Sequence, residues 1–272
     1  MMPQMRSAWI LLALLSTGLA CNLSRAPASV PSPNVVATEV SRLLTAVPTP
    51  SPLVPPSSAT ASTNATAQPS PTPSATSTAT PGPTDPRRIL GKPDWQDTFQ
   101  NSDNWDLSGG NPQAEIRDGQ LVFGVPEADD SDWWRLSAPK LTDFYLEGTA
   151  TIGPCRGLDR YGLVVRAPSL SRGYLFGFSC DGHYSLRKWD GSHFTPLQDW
   201  TDGSQILAGP GQTNRLGFMA KGNTLSMYAN GSLLGQLQDD SYPDGRFGLF
   251  IASVHTPGFS VAFSQLDYWT LP

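Results

Sequence analysis

The stretch Asn214-Arg-Leu-Gly-Phe-Met-Ala-Lys-Gly-Asn-Thr-Leu-Ser-Met-Tyr-Ala-Asn-Gly-Ser-Leu-Leu-Gly-Gln-Leu-Gln-Asp239 decides the fold. Its apolar residues fall in short runs, Arg215 to Ala220 and Leu225 to Ala229, with a third run after Gly231. Lys221-Gly222-Asn223 and Asn230-Gly231 separate these runs. Asn and Gly tolerate the positive φ angles that a tight hairpin needs, so the pattern predicts three antiparallel strands joined by two turns.

The same reading extends outward in both directions. Gln120 to Val125, Phe144 to Ile152, Tyr161 to Ala167, Tyr174 to Cys180, Tyr184 to Trp189, Phe247 to Val254 and Phe259 to Trp269 are further runs of strand character. Asp118-Gly119, Asp181-Gly182, Asp190-Gly191 and Asp244-Gly245 punctuate them. No long window keeps helical periodicity without a Gly or Pro break. About a dozen short strands at this spacing imply an all-β, antiparallel two-sheet sandwich of jelly-roll type.

Upstream the composition changes. Residues 22 to 90 hold 14 of the 26 prolines, whereas seven of the eight tryptophans and all seven tyrosines follow residue 94. A Pro/Ser/Thr/Ala-rich segment cannot bury enough apolar surface to offset chain entropy, so residues 21–92 read as a disordered stalk and residues 93–272 as one folded domain. A short helical spacing at Val36, Val40, Leu43, Leu44 and Val47 is too brief for a stable isolated helix. Residues 1–20 carry Arg6, an apolar run from Ala8 to Leu15 and then small residues, the pattern of a cleaved secretory signal; the run is too short for a membrane span. The signal closes on Gly18-Leu19-Ala20-Cys21, which resembles the bacterial lipobox, with Gly18 where that motif usually has Leu. The resemblance implies acylation of Cys21, attachment to a lipid bilayer, and an extracytoplasmic place at the cell surface or in the periplasm.

The chain carries a net charge of −5, and from Asp94 onward acidic residues outnumber basic ones by 21 to 12. Nucleic acid is excluded as a partner on this ground, because binding it demands a basic stripe that neutralises phosphates. With Cys21 acylated, Cys155 and Cys180 remain as a pair in an oxidising compartment and are expected to form a disulfide.

The order of turns and strands from Asn214 to Asp239, then Gly245-Arg-Phe-Gly-Leu-Phe250 and Val261-Ala-Phe-Ser-Gln-Leu-Asp267, resembles the concanavalin A-like, laminin-G-like jelly-roll superfamily. The likeness extends over about residues 94–272 and takes in the outline of the 3-keto-disaccharide hydrolase-like domains; its motifs encode turns and core positions, so it speaks to fold more than to activity. Glucanases of the superfamily carry Glu-x-Asp-x-Glu on one strand. Here the domain has Glu115, Glu127 and Glu147 alone, none in such an array. The nearest same-face pair, Asp143 and Glu147, is separated by roughly 13 Å at about 3.3 Å per residue, beyond the about 9.5 Å that inverting hydrolysis tolerates. Carboxylates from different strands stay open as an alternative, and no catalytic residue is assigned.

Non-catalytic glycan binding is the leading expectation, ahead of a glycoside hydrolase of the same fold and of a protein–protein adhesion module. Adjacent Trp133 and Trp134 point to opposite faces of a strand, and Trp133 is taken as the outward one. Arg166, His183, Arg187 and Trp189 are expected opposite the core aromatics, on the open face of the same sheet, where an arginine beside an aromatic ring suits a sugar. The superfamily resemblance also implies a structural Ca²⁺ between first and last strands, with Asp97 and Asp267 as its oxygen ligands and Glu127, Asp129, Asp130 and Asp132 as a rival cluster.

Overall fold

A computed structural model describes residues 84–272. The expected signal sequence, Cys21, the Val36–Val47 spacing and the stalk up to residue 83 lie outside the described residues.

Among the described residues the fold is almost wholly antiparallel β. A four-residue helix, α1 (Arg87–Leu90), precedes fourteen strands. In chain order these are β1 (Trp95–Asp97), β2 (Gln113–Arg117), β3 (Gln120–Val125), β4 (Trp133–Leu141), β5 (Phe144–Ile152), β6 (Arg160–Ser169) and β7 (Arg172–Ser179). There follow β8 (His183–Trp189), β9 (Phe194–Asp202), β10 (Thr213–Lys221), β11 (Thr224–Ala229), β12 (Ser232–Gln238), β13 (Gly245–Ala252) and β14 (Phe259–Thr270). One sheet runs β12-β11-β10-β5-β14-β3-β2 with β1 also paired to β14; the other runs β4-β13-β6-β7-β8-β9. Neighbours distant in sequence, such as β5 beside β14 and β4 beside β13, give the jelly-roll sandwich.

The hairpins in 214–239 form as the sequence predicts. Ala229 pairs with Ser232, so Asn230 and Gly231 make a two-residue turn, and both have positive φ (52° and 82°). Inward-facing alternate residues from both sheets, among them Phe123, Leu146, Leu163, Phe176, Phe178, Phe218, Phe247 and Phe263, fill the core between them. Each such side chain contributes about 1.5–3 kcal/mol on full burial. Cys155, after β5, and Cys180, after β7, form the expected disulfide. At that end of the sandwich Asp159 accepts hydrogen bonds from the backbone N–H groups of Arg156, Val254, His255 and Thr256 at 2.7–3.2 Å, which fixes the loops around the start of β6.

Three expectations need correction. Residues ahead of 93 are packed on the sheet: Thr84 donates to Gly231 O and accepts from Leu233 N, and Asp85 is ion-paired to Arg215 at 2.6 Å. The charged residues here, Asp85 and Arg87, find opposite charges on the sheet, which the composition of the stalk does not reveal. Arg166 does not lie on the open face. A β-bulge sets Val165 and Arg166 against the single Phe247, and Arg166 takes φ +46°. Its side chain turns into the end of the sandwich and donates to Thr142 O (2.6 and 3.0 Å), Gly222 O (2.8 Å) and Asp143 (3.2 Å). It is 1% exposed and clamps loop ends. Finally, Trp133 is opposite Ile251 and packs on the main core, so the outward tryptophan is Trp134, opposite Phe250.

Candidate functional site

The outer face of the six-stranded sheet gathers charged and aromatic side chains. Strand alternation sends Tyr184 and Leu186 of β8 into the core and leaves His183, Ser185, Arg187 and Trp189 on the opposite face. Register then places Arg187 opposite Leu175 and Pro196, and Trp189 opposite Gly173 and Phe194.

The centre of this face carries a glycine pair under an aromatic ring. Gly162 of β6 and Gly177 of β7 are register partners, and the Phe250 ring lies across both: a Cβ on Gly177 would come within 2.5 Å of that ring and one on Gly162 within 2.7 Å. Leu136, Val164, Ala167 and Leu175 surround Phe250 in a small second cluster, with Trp134, Trp189 and Phe194 packed at its border.

Above this cluster sits Asp132, which the chain delivers just before β4. Its carboxylate accepts two bonds from Arg187 (2.8 and 2.9 Å) and two from Arg160 (both 2.9 Å). Asp130 adds a further bond to Arg160 at 2.7 Å. Asp132 is 2% exposed. Burial works against its charge, but the hydrogen bonds and charges of Arg187 and Arg160 outweigh that cost and hold the carboxyl below its ordinary range. The Arg187 guanidinium in turn lies 4.7 Å from the Phe194 ring centre, 5.7 Å from Trp200 and 5.9 Å from Phe250.

Half-exposed aromatics frame this array. Trp189 and Phe194 pack at 4.5 Å, Trp200 borders Arg187, and Trp134 is pinned by its indole N–H donating to Leu170 O at 3.0 Å. Beside Trp134 an open groove of about 430 Å³ runs between Leu170, Asp106 and Arg246. Such a surface can stack flat apolar C–H faces on its rings, while fixed donors and acceptors meet hydroxyl groups. Of the residues expected here, the structure brings Arg187, Trp189 and His183 onto one face. His183 stands at its end, bridging Asp181 and Asp202 at 3.0 Å each. Asp132, Arg160, Trp134, Phe194 and Trp200 join the array without having been singled out as ligand-binding residues.

The Asp97–Asp267 pair expected to hold calcium does not survive the register. Gln96, not Asp97, faces Asp267, while Asp97 pairs with Leu266, so the two carboxylates point to opposite faces of the sheet. Asp97 accepts from Phe99 N–H, Asn104 and the Trp105 indole at 2.7–3.0 Å, which staples the loop after β1. In the rival set, Asp130 and Asp132 are engaged by arginine. No group of three or more His, Cys, Asp or Glu side chains suited to a metal occurs among the described residues.

Asp267 instead faces Glu147 across the β5/β14 pair, on the outer side of the eight-stranded sheet. Both are buried, and Tyr145 donates its hydroxyl to Glu147 at 2.7 Å. Burial pushes the Glu147 carboxyl up to about 7, against the opposing charge of Arg87. Asp267 is raised too, by burial.

The fold and these two faces define a concanavalin A-like sandwich, and solved structures agree. The carbohydrate binding module CBM66 from Bacillus subtilis aligns over 62% of this chain and 98% of its own, at 18% identity and TM-score 0.51. A mutant of the GH43 protein BlXynB from Bacillus licheniformis aligns over 65% of this chain at 13% identity and TM-score 0.52, with 39% of that longer protein matched. A Bacillus subtilis protein of unknown function with a galectin-like fold aligns over 67% of this chain and 99% of its own, at 13% identity and TM-score 0.50. No protein-family model matches the chain, and no curated protein sequence does. At these identities the likeness is one of fold.

Proposed function

We propose that the domain binds glycan, without turning it over, on the outer face of the six-stranded sheet, and that it is displayed from a membrane by an acylated Cys21. The observation that carries the reading is the frame of half-exposed Trp134, Trp189, Phe194 and Trp200 around a rigid Arg187–Asp132–Arg160 array. A preformed surface of rings and fixed charges loses little entropy when a sugar settles on it. The fold shared with a protein described as a carbohydrate binding module supports the same reading. The signal-like segment ending at Cys21, followed by proline-rich sequence, supports display outside the cytoplasm.

Glycan-array binding followed by a turnover assay on the best ligand tests the function. Trp189→Ala and Trp200→Ala are expected to lose at least tenfold in affinity, with melting temperatures within a few degrees of the parent. Release of product from the bound glycan overturns the non-catalytic reading, and silence on every glycan favours protein adhesion. Intact mass tests the anchor: a mature chain that starts elsewhere than Cys21, or lacks acyl mass, overturns it.

Hydrolysis is a second reading, favoured by one observation. Glu147 and Asp267 are register partners on adjacent strands, where side chains stand about 4.5–5.5 Å apart at Cβ, so their carboxyl groups are within reach of the about 5–5.5 Å separation that retaining glycosidases use. Residues 84–91 lie over this pair, so turnover on that face requires them to lift.

A further inference from the structure

Residues 84–91 are bound to the eight-stranded sheet much as a peptide ligand would be. Thr84 straddles Gly231 O and Leu233 N, Asp85 reaches Arg215 at 2.6 Å, and Arg87 reaches Glu147 at 3.2 Å. Gly231 must be glycine for Asp85 to come this close, since a Cβ there would meet the Asp85 carboxylate at 2.5 Å. The Thr84 and Asp85 contacts span 130 to 149 residues of sequence, and each contact engages a different side chain of the segment. Along the segment the surface thus meets a hydroxyl, then a carboxylate, then a guanidinium.

The fit is incomplete. Among the described residues, Asp267 Oδ1 and Arg87 Nε are both buried and find no hydrogen-bond partner, and Asp267 is 4% exposed. The two carboxylates stand side by side, yet the docked guanidinium pairs with Glu147 and with its own neighbour Asp85 (3.5 Å). Glu147 also lies 3.6 Å from Arg215, and Asp267 accepts from Gln265 through its other oxygen, so the place left open on the pair is Asp267 Oδ1, and a guanidinium fork matches such carboxylate oxygens.

We propose that the outer face of the eight-stranded sheet is a receptor for an arginine side chain carried on an Asp-Pro-Arg peptide, occupied here in cis by residues 84–91. Another peptide of this order binds when the segment lifts. The cis copy competes at the millimolar effective concentration typical of a short tether, so it masks the receptor until it detaches.

The test uses the full chain with the double substitution Asp85→Ala, Arg87→Ala, which strips the two charges from the cis segment without touching the sheet. Titration with a synthetic peptide of residues 84–91 is expected to show binding at least tenfold tighter to this variant than to the parent. A peptide with Arg87→Ala should lose at least tenfold, whereas one with Arg88→Ala, whose parent side chain is exposed, should bind unchanged. Hydrogen exchange on the parent chain provides a readout independent of the variant's folding: saturating peptide should accelerate exchange at Arg88, Ile89 and Leu90, whose N–H groups donate to Asp85 and Pro86 in the docked segment. Equal peptide affinity for parent and variant, indifference to the Arg87 substitution, or unchanged exchange at those amides each overturns the proposal. None of these results depends on glycan binding, so the two readings fail separately.

Discussion

Asp132→Ala removes the carboxylate that Arg160 and Arg187 share. In the parent, four hydrogen bonds of 2.8–2.9 Å converge on it, and Arg160 and Arg187 are themselves only 7% and 12% exposed. After the substitution Arg160 keeps Asp130, but Arg187 has no other ion pair among the described residues and remains among Phe194, Trp200 and Phe250. Breaking a buried pair in this way costs about 3–5 kcal/mol. For a domain of this size that lowers the melting temperature by about 6–20 °C at roughly 2–4 °C per kcal/mol. Thermal unfolding at pH 7, followed by circular dichroism, measures it. The double variant Asp132→Ala, Arg187→Met should recover part of the loss, because an apolar side chain over Phe250 leaves no stranded charge. The folded-state pKa of Asp132 lies below its unfolded value, so its contribution is complete above the ordinary carboxylate range near 3.9 and disappears as pH falls through the depressed folded value. The gap between parent and variant should thus close only in strong acid. A melting temperature within two degrees or so of the parent, or a double variant no better than the single one, refutes the reasoning.

Glu147 predicts the opposite slope. Its folded pKa of about 7 lies above the ordinary value of 4.5, so the parent should lose stability as pH rises from 4.5 to 7. The loss is on the order of 3 kcal/mol, and Glu147→Gln should flatten it in urea unfolding at pH 5 and 8. Reducing Cys155–Cys180, or replacing both cysteines by alanine, should remove about 3.5 kcal/mol by the chain-entropy relation for a loop of this length; an unchanged denaturation midpoint would contradict this. Arg166→Lys should cost about 3 kcal/mol or more, since an ammonium group cannot reproduce a planar fork that donates to Thr142 O and Gly222 O. Glycan affinity of the folded variant should stay as it was.

Ten of the strands announce themselves through alternation bounded by Gly turns, because their neighbours bury them on one side or both. The strands that escaped naming are edge or short ones. β9 carries Pro196, tolerated at an edge where its missing N–H breaks no ladder, and β2 is a five-residue edge strand with Ala114 and Ile116 as its apolar positions. The β8 residues were legible as candidates for one face since period two fixes which side chains share it. Arg166 was not, because a bulge shifts the phase by one residue and no local signal marks where that happens. Trp133 and Trp134 show the same limit: alternation says they diverge, and only the pairing partner on β13 says which goes where. Asp132 and Asp267 were visible as residues but not in their roles. Each acts on a side chain brought near by pairing between distant strands, Asp132 on Arg160 and Arg187, Asp267 beside Glu147. Arg187 also changes character for this reason. Its loss strips the buried Asp132 of one arginine, so stability and binding fall together, while Trp189 separates them.

The docked segment at residues 84–91 also determines how force enters the domain. A pull applied from the N-terminal side at Thr84 first loads the Gly231 and Leu233 contacts, next the Asp85–Arg215 pair, next Arg87 on Glu147, and then the Trp269 indole on Gly91 O. These yield one after another, as in peeling. Only when they have gone does tension reach β1, whose ladder with β14 ties it to the centre of the sheet. The segment is in effect a mechanical fuse: it lengthens under load before the sandwich is strained, and the outer face of the six-stranded sheet stays intact meanwhile.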